Sequence, residues 1–222
     1  MSSILSYVLP LLQTPPATPC DGCHAGCCRA YVAPLTGRDI FRIVTELKIP
    51  FWRFVSRWAD QSCEISQGVA PHFFFDDDRQ TPYVIGLLQN ESQLFPGTRK
   101  CVFLEESPCG EPVQGGTGRC SIYEQRPVDC RVFPARLNAA GQLAVQVVTK
   151  PALESRHDTY RLCPRSWNIA NLDRVSALQN LQKSSDEMEL FQTIANRWNE
   201  DPGPWPLFPD FLELIYTALT AA

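Results

Sequence analysis

Cys20-Asp21-Gly22-Cys23-His24-Ala25-Gly26-Cys27-Cys28-Arg29 places four of the chain's ten cysteines within nine residues. So short a segment cannot bury four thiols among side chains that it lacks, but it can wrap thiolates around a metal. Gly22 and Gly26 suit such a loop, because glycine reaches the positive φ angles that a tight chelating turn uses. The segment points to a cysteine-ligated metal site near the start of the fold. Asp21 and His24 are either further donors or turn-forming residues.

Downstream of it, Thr36-Gly37-Arg38-Asp39 reads as a helix N-cap with an acidic residue three positions on. Ile40, Ile43, Val44 and Leu47 then repeat at helical spacing. Pro50 stands at a first helical position, and Phe51, Phe54, Val55 and Trp58 give the same spacing again. Two short amphipathic helices are therefore expected to follow the cluster and pack over it. Cys63 stands alone after them and reads as a small apolar side chain rather than a ligand.

From His72 the pattern turns strand-like, with Phe73-Phe74-Phe75 and Tyr83-Val84-Ile85 flanking Asp76-Asp77-Asp78-Arg79. The aspartates lack the longer ligand ladder of a calcium loop, so a solvated hairpin turn is expected there. His72 reads as structural.

A second cysteine-bearing region runs from Cys101 through Cys109 and Cys120 to Cys130, with a glycine-rich stretch from Gly110 to Gly118. That stretch has no Gly-Lys-Ser/Thr ending and reads as a flexible connection, not a phosphate cradle. Pro127 looks like the start of a short helical turn that carries Cys130 and Arg131. Leu137 to Val148 reads as a hairpin turning at Asn138-Ala139-Ala140-Gly141.

Beyond Cys163-Pro164 a helical tail begins with Leu172, Val175 and Leu178, and Ser184-Ser185-Asp186-Glu187 resembles a capping box that restarts it. Met188, Phe191, Ile194 and Trp198 continue an apolar face, and a last helix starts near Pro209.

With 222 residues the chain can bury a substantial core, so its cysteines are not needed as staples. A formal charge of −4 with scattered Lys and Arg excludes a nucleic-acid face. No apolar run approaches the roughly 20 residues of a membrane-spanning helix. The first twelve residues are apolar but lack a basic flank and contain Pro10, which suits a docked arm better than a signal peptide. A cytoplasmic, reducing location is expected, where clustered cysteines bind metal more often than they form disulfides.

The expected fold is α+β: a small cysteine-rich metal-binding domain of short helices and β-hairpins with a helical C-terminal extension. Residues 1–19 form the N-terminal arm, 20–165 the cysteine-cluster domain, and 166–222 the helical extension packed on it.

Three blocks in this order carry a specific resemblance. They are Cys20-x2-Cys23-x3-Cys27-Cys28, then Cys101-x-Phe103-Leu104, then Cys120-Ser121-Ile122-Tyr123-Glu124-x-Arg126-Pro127-x2-Cys130-Arg131-x-Phe133-Pro134. Together they resemble the YkgJ-like CxxCxxxCC cysteine-cluster family, described as zinc- or iron-chelating, of which the flagellin lysine methylase carries a related domain. Thr36 to Ile40 and Cys163-Pro164 also resemble its pattern. Cys63 and the longer insertion holding Cys109 depart from it.

The resemblance implies a metal site drawn from Cys20, Cys23, Cys27, Cys28, Cys101, Cys120, Cys130 and Cys163, holding a zinc ion or an iron–sulfur cluster. Either metal takes four thiolates, so eight leave open one centre with spare thiols or two centres. Neighbouring Cys27 and Cys28 are expected to point in different directions. Arg29, Arg126 and Arg131 lie near these cysteines and either offset thiolate charge or pair with Glu124, Asp129 or water.

The function classes that follow are three. The first is a metal-binding protein in metal handling, maturation or electron transfer. The second is a methyltransferase related to the flagellin enzyme, for which no Gly-x-Gly-x-x-Gly motif or catalytic constellation is found. The third is a structural zinc module whose helical tail meets a protein partner.

Overall fold

The computed structural model describes residues 25–107, 117–146 and 168–221. Cys20, Cys23, Cys109, Cys163, the expected N-terminal arm and most of the glycine-rich connection lie outside the described residues.

The chain enters through α1 (Gly26–Ala30) and α2 (Gly37–Glu46). Thr36 caps α2 as its sequence predicts, its Oγ1 accepting the Asp39 N–H at 3.0 Å. The Asp39 carboxylate does not reach back to complete the box. It goes elsewhere, to the site described below.

The second expected helix does not form. Pro50 leads into one 3-10 turn, Phe51–Arg53, and Phe54 then swings the chain into strand β1 (Val55–Ala59). Its aromatic and β-branched residues mimic helical spacing over one turn, yet Val55 pairs with Leu87 and Trp58 with Val84. Those side chains also suit a pleated, half-buried surface, and the partner strand decides the matter.

Strands β2 (Phe73–Phe75) and β3 (Asp78–Leu87) form the predicted hairpin, and the three-stranded antiparallel sheet runs β1-β3-β2. Asp78 organises the turn by accepting the Gln80 and Thr81 N–H groups, while Asp77 pairs with Arg57. Asp60 ends β1 with a buried carboxylate that accepts the Ile65 and Ser66 N–H groups and meets His72 Nε2 at 3.0 Å. His72 is structural, as expected.

Three small antiparallel pairs follow: β4 (Gln89–Glu91) with β5 (Arg99–Cys101), β6 (Leu104–Ser107) with β7 (Thr117–Cys120), and β8 (Ala135–Leu137) with β9 (Leu143–Val145). Between the last two lies α3 (Val128–Val132).

The tail is one unbroken helix, α4 (Arg174–Asn199), followed by α5 (Phe208–Ala221). Ser184 to Glu187 do not restart it. Asp173 supplies the N-cap by accepting the Val175 and Ser176 N–H groups, and Glu187 is drawn inward to accept the Thr36 hydroxyl at 3.2 Å. Asp201-Pro202-Gly203-Pro204 ends the run, as its composition predicts.

One core joins these elements. Ile40 and Ile43 from α2, Phe73, Phe75 and Ile85 from the sheet, Phe191, Ile194 and Trp198 from α4, and Phe208, Leu212 and Tyr216 from α5 all belong to it. Phe208 sits at its middle, with ring centroids 5.0 Å from Phe73, 5.6 Å from Phe75, 5.1 Å from Trp198 and 5.5 Å from Trp205. The fully buried Phe73, Phe75 and Phe208 rings each contribute about 1.5–3 kcal/mol by leaving water. Gly37 is required where α2 meets α5, since a Cβ there would lie 2.4 Å from the Tyr216 ring. Cys101, Cys120 and Cys130 pack half-buried against this core. Among the described residues, no helix is long and apolar enough to cross a membrane.

Candidate metal centre

The site starts at Ala25, which takes φ 63, ψ 38 as N-cap of α1. The left-handed turn expected of glycine is therefore made by alanine, and Gly26 is simply the first residue of the helix. Gly22 lies outside the described residues. Gly118 matters more: a Cβ there would stand 2.7 Å from both Ala25 Cβ and Leu104 Cδ1, so glycine lets β7 close on the start of α1.

Cys27 and Cys28 share α1, and their Sγ atoms lie 3.9 Å apart. The two thiols do not diverge as expected from their adjacency. In a tetrahedral zinc site with Zn–S bonds of about 2.3 Å, two ligand sulfurs stand roughly 3.8 Å apart, so this pair already has the spacing of one edge.

Three other described cysteines face it from separate elements. Cys101 ends β5 opposite Gln89, Cys120 ends β7 opposite Leu104, and Cys130 sits in the single turn of α3. The presence of Cys27 is felt at Cys28, Cys101, Cys120 and Cys130 alike.

The Cys28 thiol is raised well above the usual range by its hydrogen bond with Cys27, by burial, and by the nearby Cys27, Cys101 and Cys130. Burial, then the neighbouring Cys101, Asp129, Cys27 and Cys120, does the same to Cys130. Burial first, and then Cys120 and Cys27, pushes Cys101 up to about 12. Cys120 rises for the same leading reason. Cys27 alone of these is lowered, first by the hydrogen bond with Cys28 and in part by the Arg126 charge. Among the described cluster cysteines, all but Cys27 are thus pushed toward the protonated form, and a soft cation binds such thiols by displacing their protons.

Among the described residues, no three His, Cys, Asp or Glu side chains already stand as a ligand group. The donor set nonetheless fits a thiolate metal in kind: clustered sulfur of the sort that selects zinc or iron–sulfur centres. Cys63 is exposed, not the buried apolar residue expected, and sits at φ 56 in the turn after β1.

The arginines divide their work. Arg29 pairs with Glu106, while its Nη1 donates to Ser92 Oγ at 2.9 Å and its guanidinium lies 4.9 Å from the Phe95 ring centroid. Glu106 also accepts from Ser92 Oγ at 2.6 Å and the Gln93 N–H at 2.8 Å, and meets Lys100 Nζ at 3.2 Å. Burial alone would raise this carboxyl, but these donors hold it at about 2. The clamp fixes α1 to the β4–β6 segment. Sequence reasoning missed Glu106, since no local pattern marks a partner 77 residues away.

Arg131 approaches Asp39 at 3.9 Å. Arg126 lies over the Tyr123 ring, 3.9 Å from its centroid, and donates through Nε to the Tyr123 carbonyl at 2.9 Å. Its charge reaches the thiols, lowering Cys27 and Cys120. Neither Glu124 nor Asp129 pairs with the three arginines in the described contacts. Burial and then Asp39 raise the Asp129 carboxyl to about 6.

Comparison with known families matches residues 19–164 to the family described as "CxxCxxCC: Putative zinc- or iron-chelating domain". That name has two residues between its second and third cysteines, where this chain has His24, Ala25 and Gly26. Comparison with curated proteins and with solved structures finds no match. The match spans more than half of the 222 residues and covers every element that carries a clustered cysteine, so the chain belongs to the CxxCxxCC family of zinc- or iron-chelating domains.

Proposed function

We propose that this protein handles metal, binding zinc or iron through thiolates drawn from Cys20, Cys23, Cys27, Cys28, Cys101, Cys120, Cys130 and Cys163. One observation carries the reading: the Cys27 and Cys28 sulfurs stand 3.9 Å apart on α1, and the charge of Cys27 acts on the thiols of Cys101, Cys120 and Cys130, which arrive from β5, β7 and α3. A closed structural site needs four thiolates. A larger sulfur-rich set suits a centre that accepts and passes on its cargo, or an iron–sulfur cluster that supports electron transfer or maturation. Such thiols need reducing surroundings, which fits a cytoplasmic location. When bound, the metal supplies a soft Lewis acid or a redox couple. The chain's own residues gather the sulfurs, hold them away from water and leave Cys27 closest to ionisation.

The test is metal analysis of protein isolated without oxygen. Brown protein containing iron and inorganic sulfide supports the cluster, and colourless protein with stoichiometric zinc supports the mononuclear site. Cys130→Ser is expected to lose most of the bound metal. Full metal retention by Cys130→Ser removes that residue from the site, and wild-type protein free of both metals overturns the proposal.

A further inference from the structure

The Cys130 turn packs mainly on α4, and one buried carboxylate of α2 holds its first residue. Asp39 is 1% exposed. Its two oxygens accept the Val128 N–H at 3.2 and 3.0 Å, across 89 residues of chain. That N–H opens α3, where helix geometry provides no internal acceptor, so a side chain must supply one. Arg42, three residues along α2, donates to Asp39 at 3.1 Å, to Gln125 Oε1 at 2.7 Å and to the Arg126 carbonyl at 3.2 Å.

Helix α2 therefore grips the Gln125–Val128 stretch at three points, two residues short of the Cys130 thiol. Thr36 fixes Asp39 from the other side by accepting its N–H, and donates its own proton to Glu187 on α4. A five-residue helix cannot hold its position by its own hydrogen bonds.

We propose that Asp39 is a positioning residue of the metal centre, setting where α3 presents Cys130 to the other thiols. The inference rests on the metal-binding reading above. Residues one shell outside metal ligands typically change affinity about 10–100-fold when altered.

The test uses cobalt(II), loaded without oxygen into the full chain, as a probe of thiolate ligation. Asp39→Asn keeps the size of the side chain but loses the charge and one acceptor. Val128→Pro removes the donated N–H instead, and Pro127 at φ −50, ψ 151 already has the backbone that a following proline requires. Each variant should fold, bind cobalt about 10–100-fold more weakly in chelator competition, and show a weaker thiolate-to-cobalt charge-transfer band per bound ion. The double variant should lose no more than the worse single one, because both changes remove the same contact.

Unchanged affinity and band intensity in a folded Asp39→Asn protein overturns the inference while the metal-binding reading stands. So does failure of Asp39→Asn to fold, which makes the carboxylate a determinant of the whole fold. Absence of any cobalt–thiolate band in the wild type overturns the metal-binding reading itself, and this inference with it.

Discussion

The aromatic half and the cysteine half of this molecule are built on different physics. Around Phe208, long elements bury large rings against one another, and the 26-residue α4 meets α2 and the sheet over several turns. Around Cys27, the elements are five-residue helices and strands of three or four residues, too short to persist by themselves. Buried polar clamps, Arg29 with Glu106 and Asp39 with the Val128 N–H, fix their ends, while α3 also packs on α4. The lesson is that the fold is committed by burial on one side, whereas sulfur positions on the other depend on a few directional contacts and on whatever the thiols bind.

The strongest way to break this comparison is to damage each half and ask whether the other follows. Phe208→Ala removes a fully buried ring and should cost about 3–5 kcal/mol in denaturant unfolding, with or without metal. Chelation should act differently. Amide exchange is expected to speed up in 26–30, 99–104 and 117–132, while Ile43, Ile85 and Ile194 stay protected. Simultaneous loss of protection in both halves under chelator would show that the core is not independent of the site.

Local patterns made much of the aromatic half readable. Thr36 before an amphipathic run, the aspartates between two aromatic strands, and the Pro/Gly break before α5 all act over a few residues. Where the reading failed, a distant partner had overruled a local signal. Phe51, Phe54 and Trp58 carry helical spacing, but Val84 and Leu87 recruit their neighbourhood into a sheet.

Ser184 to Glu187 look like a cap until Thr36, 151 residues away, takes Glu187 into the interior. In the cysteine half, the residue types announced metal chemistry and the family blocks supplied the order. Yet the clamps that aim the thiols join residues 77 and 89 apart, and no spacing rule reaches that far. Nor did the sequence foretell that Ala25, not a neighbouring glycine, would take the left-handed turn.

A smaller effect sharpens the comparison from the sheet side. Burial raises the Asp60 carboxyl, but bonds from His72, Ile65 and Ser66 outweigh it and lower the group from 3.8 to about 2. A carboxyl depressed by folding stabilises the protein above its unfolded value, and that contribution fades as pH falls through the folded one. The stabilisation is therefore full above pH of about 4, is lost toward pH 2, and amounts to about 2 kcal/mol. Asp60→Asn should cost about that much in urea unfolding at pH 7 and flatten the acid limb of the stability curve. Metal content should not change, since the carboxylate of Asp60 meets Ile65, Ser66 and His72, none of them a cluster residue. Loss of metal on Asp60→Asn would tie this loop to the thiols and erase the division.

The smallest expected effect concerns Cys63, a cysteine that belongs to neither half. It is the exposed one among the described cysteines, and its sulfur does not figure in the mutual influence that links Cys27, Cys28, Cys101, Cys120 and Cys130. Cys63→Ser should shift stability by no more than about 0.5 kcal/mol, as exposed substitutions usually do. The protein should keep all its metal. In metal-loaded wild type, Cys63 should react first with iodoacetamide, because its thiol is open to water while the clustered thiols are packed against the core or engaged by metal. Peptide mapping after brief alkylation reads this directly. Modification of Cys101 or Cys130 ahead of Cys63 would mean that the cluster opens faster than an exposed turn reacts, and the buried arrangement of its sulfurs would then not describe the protein in solution.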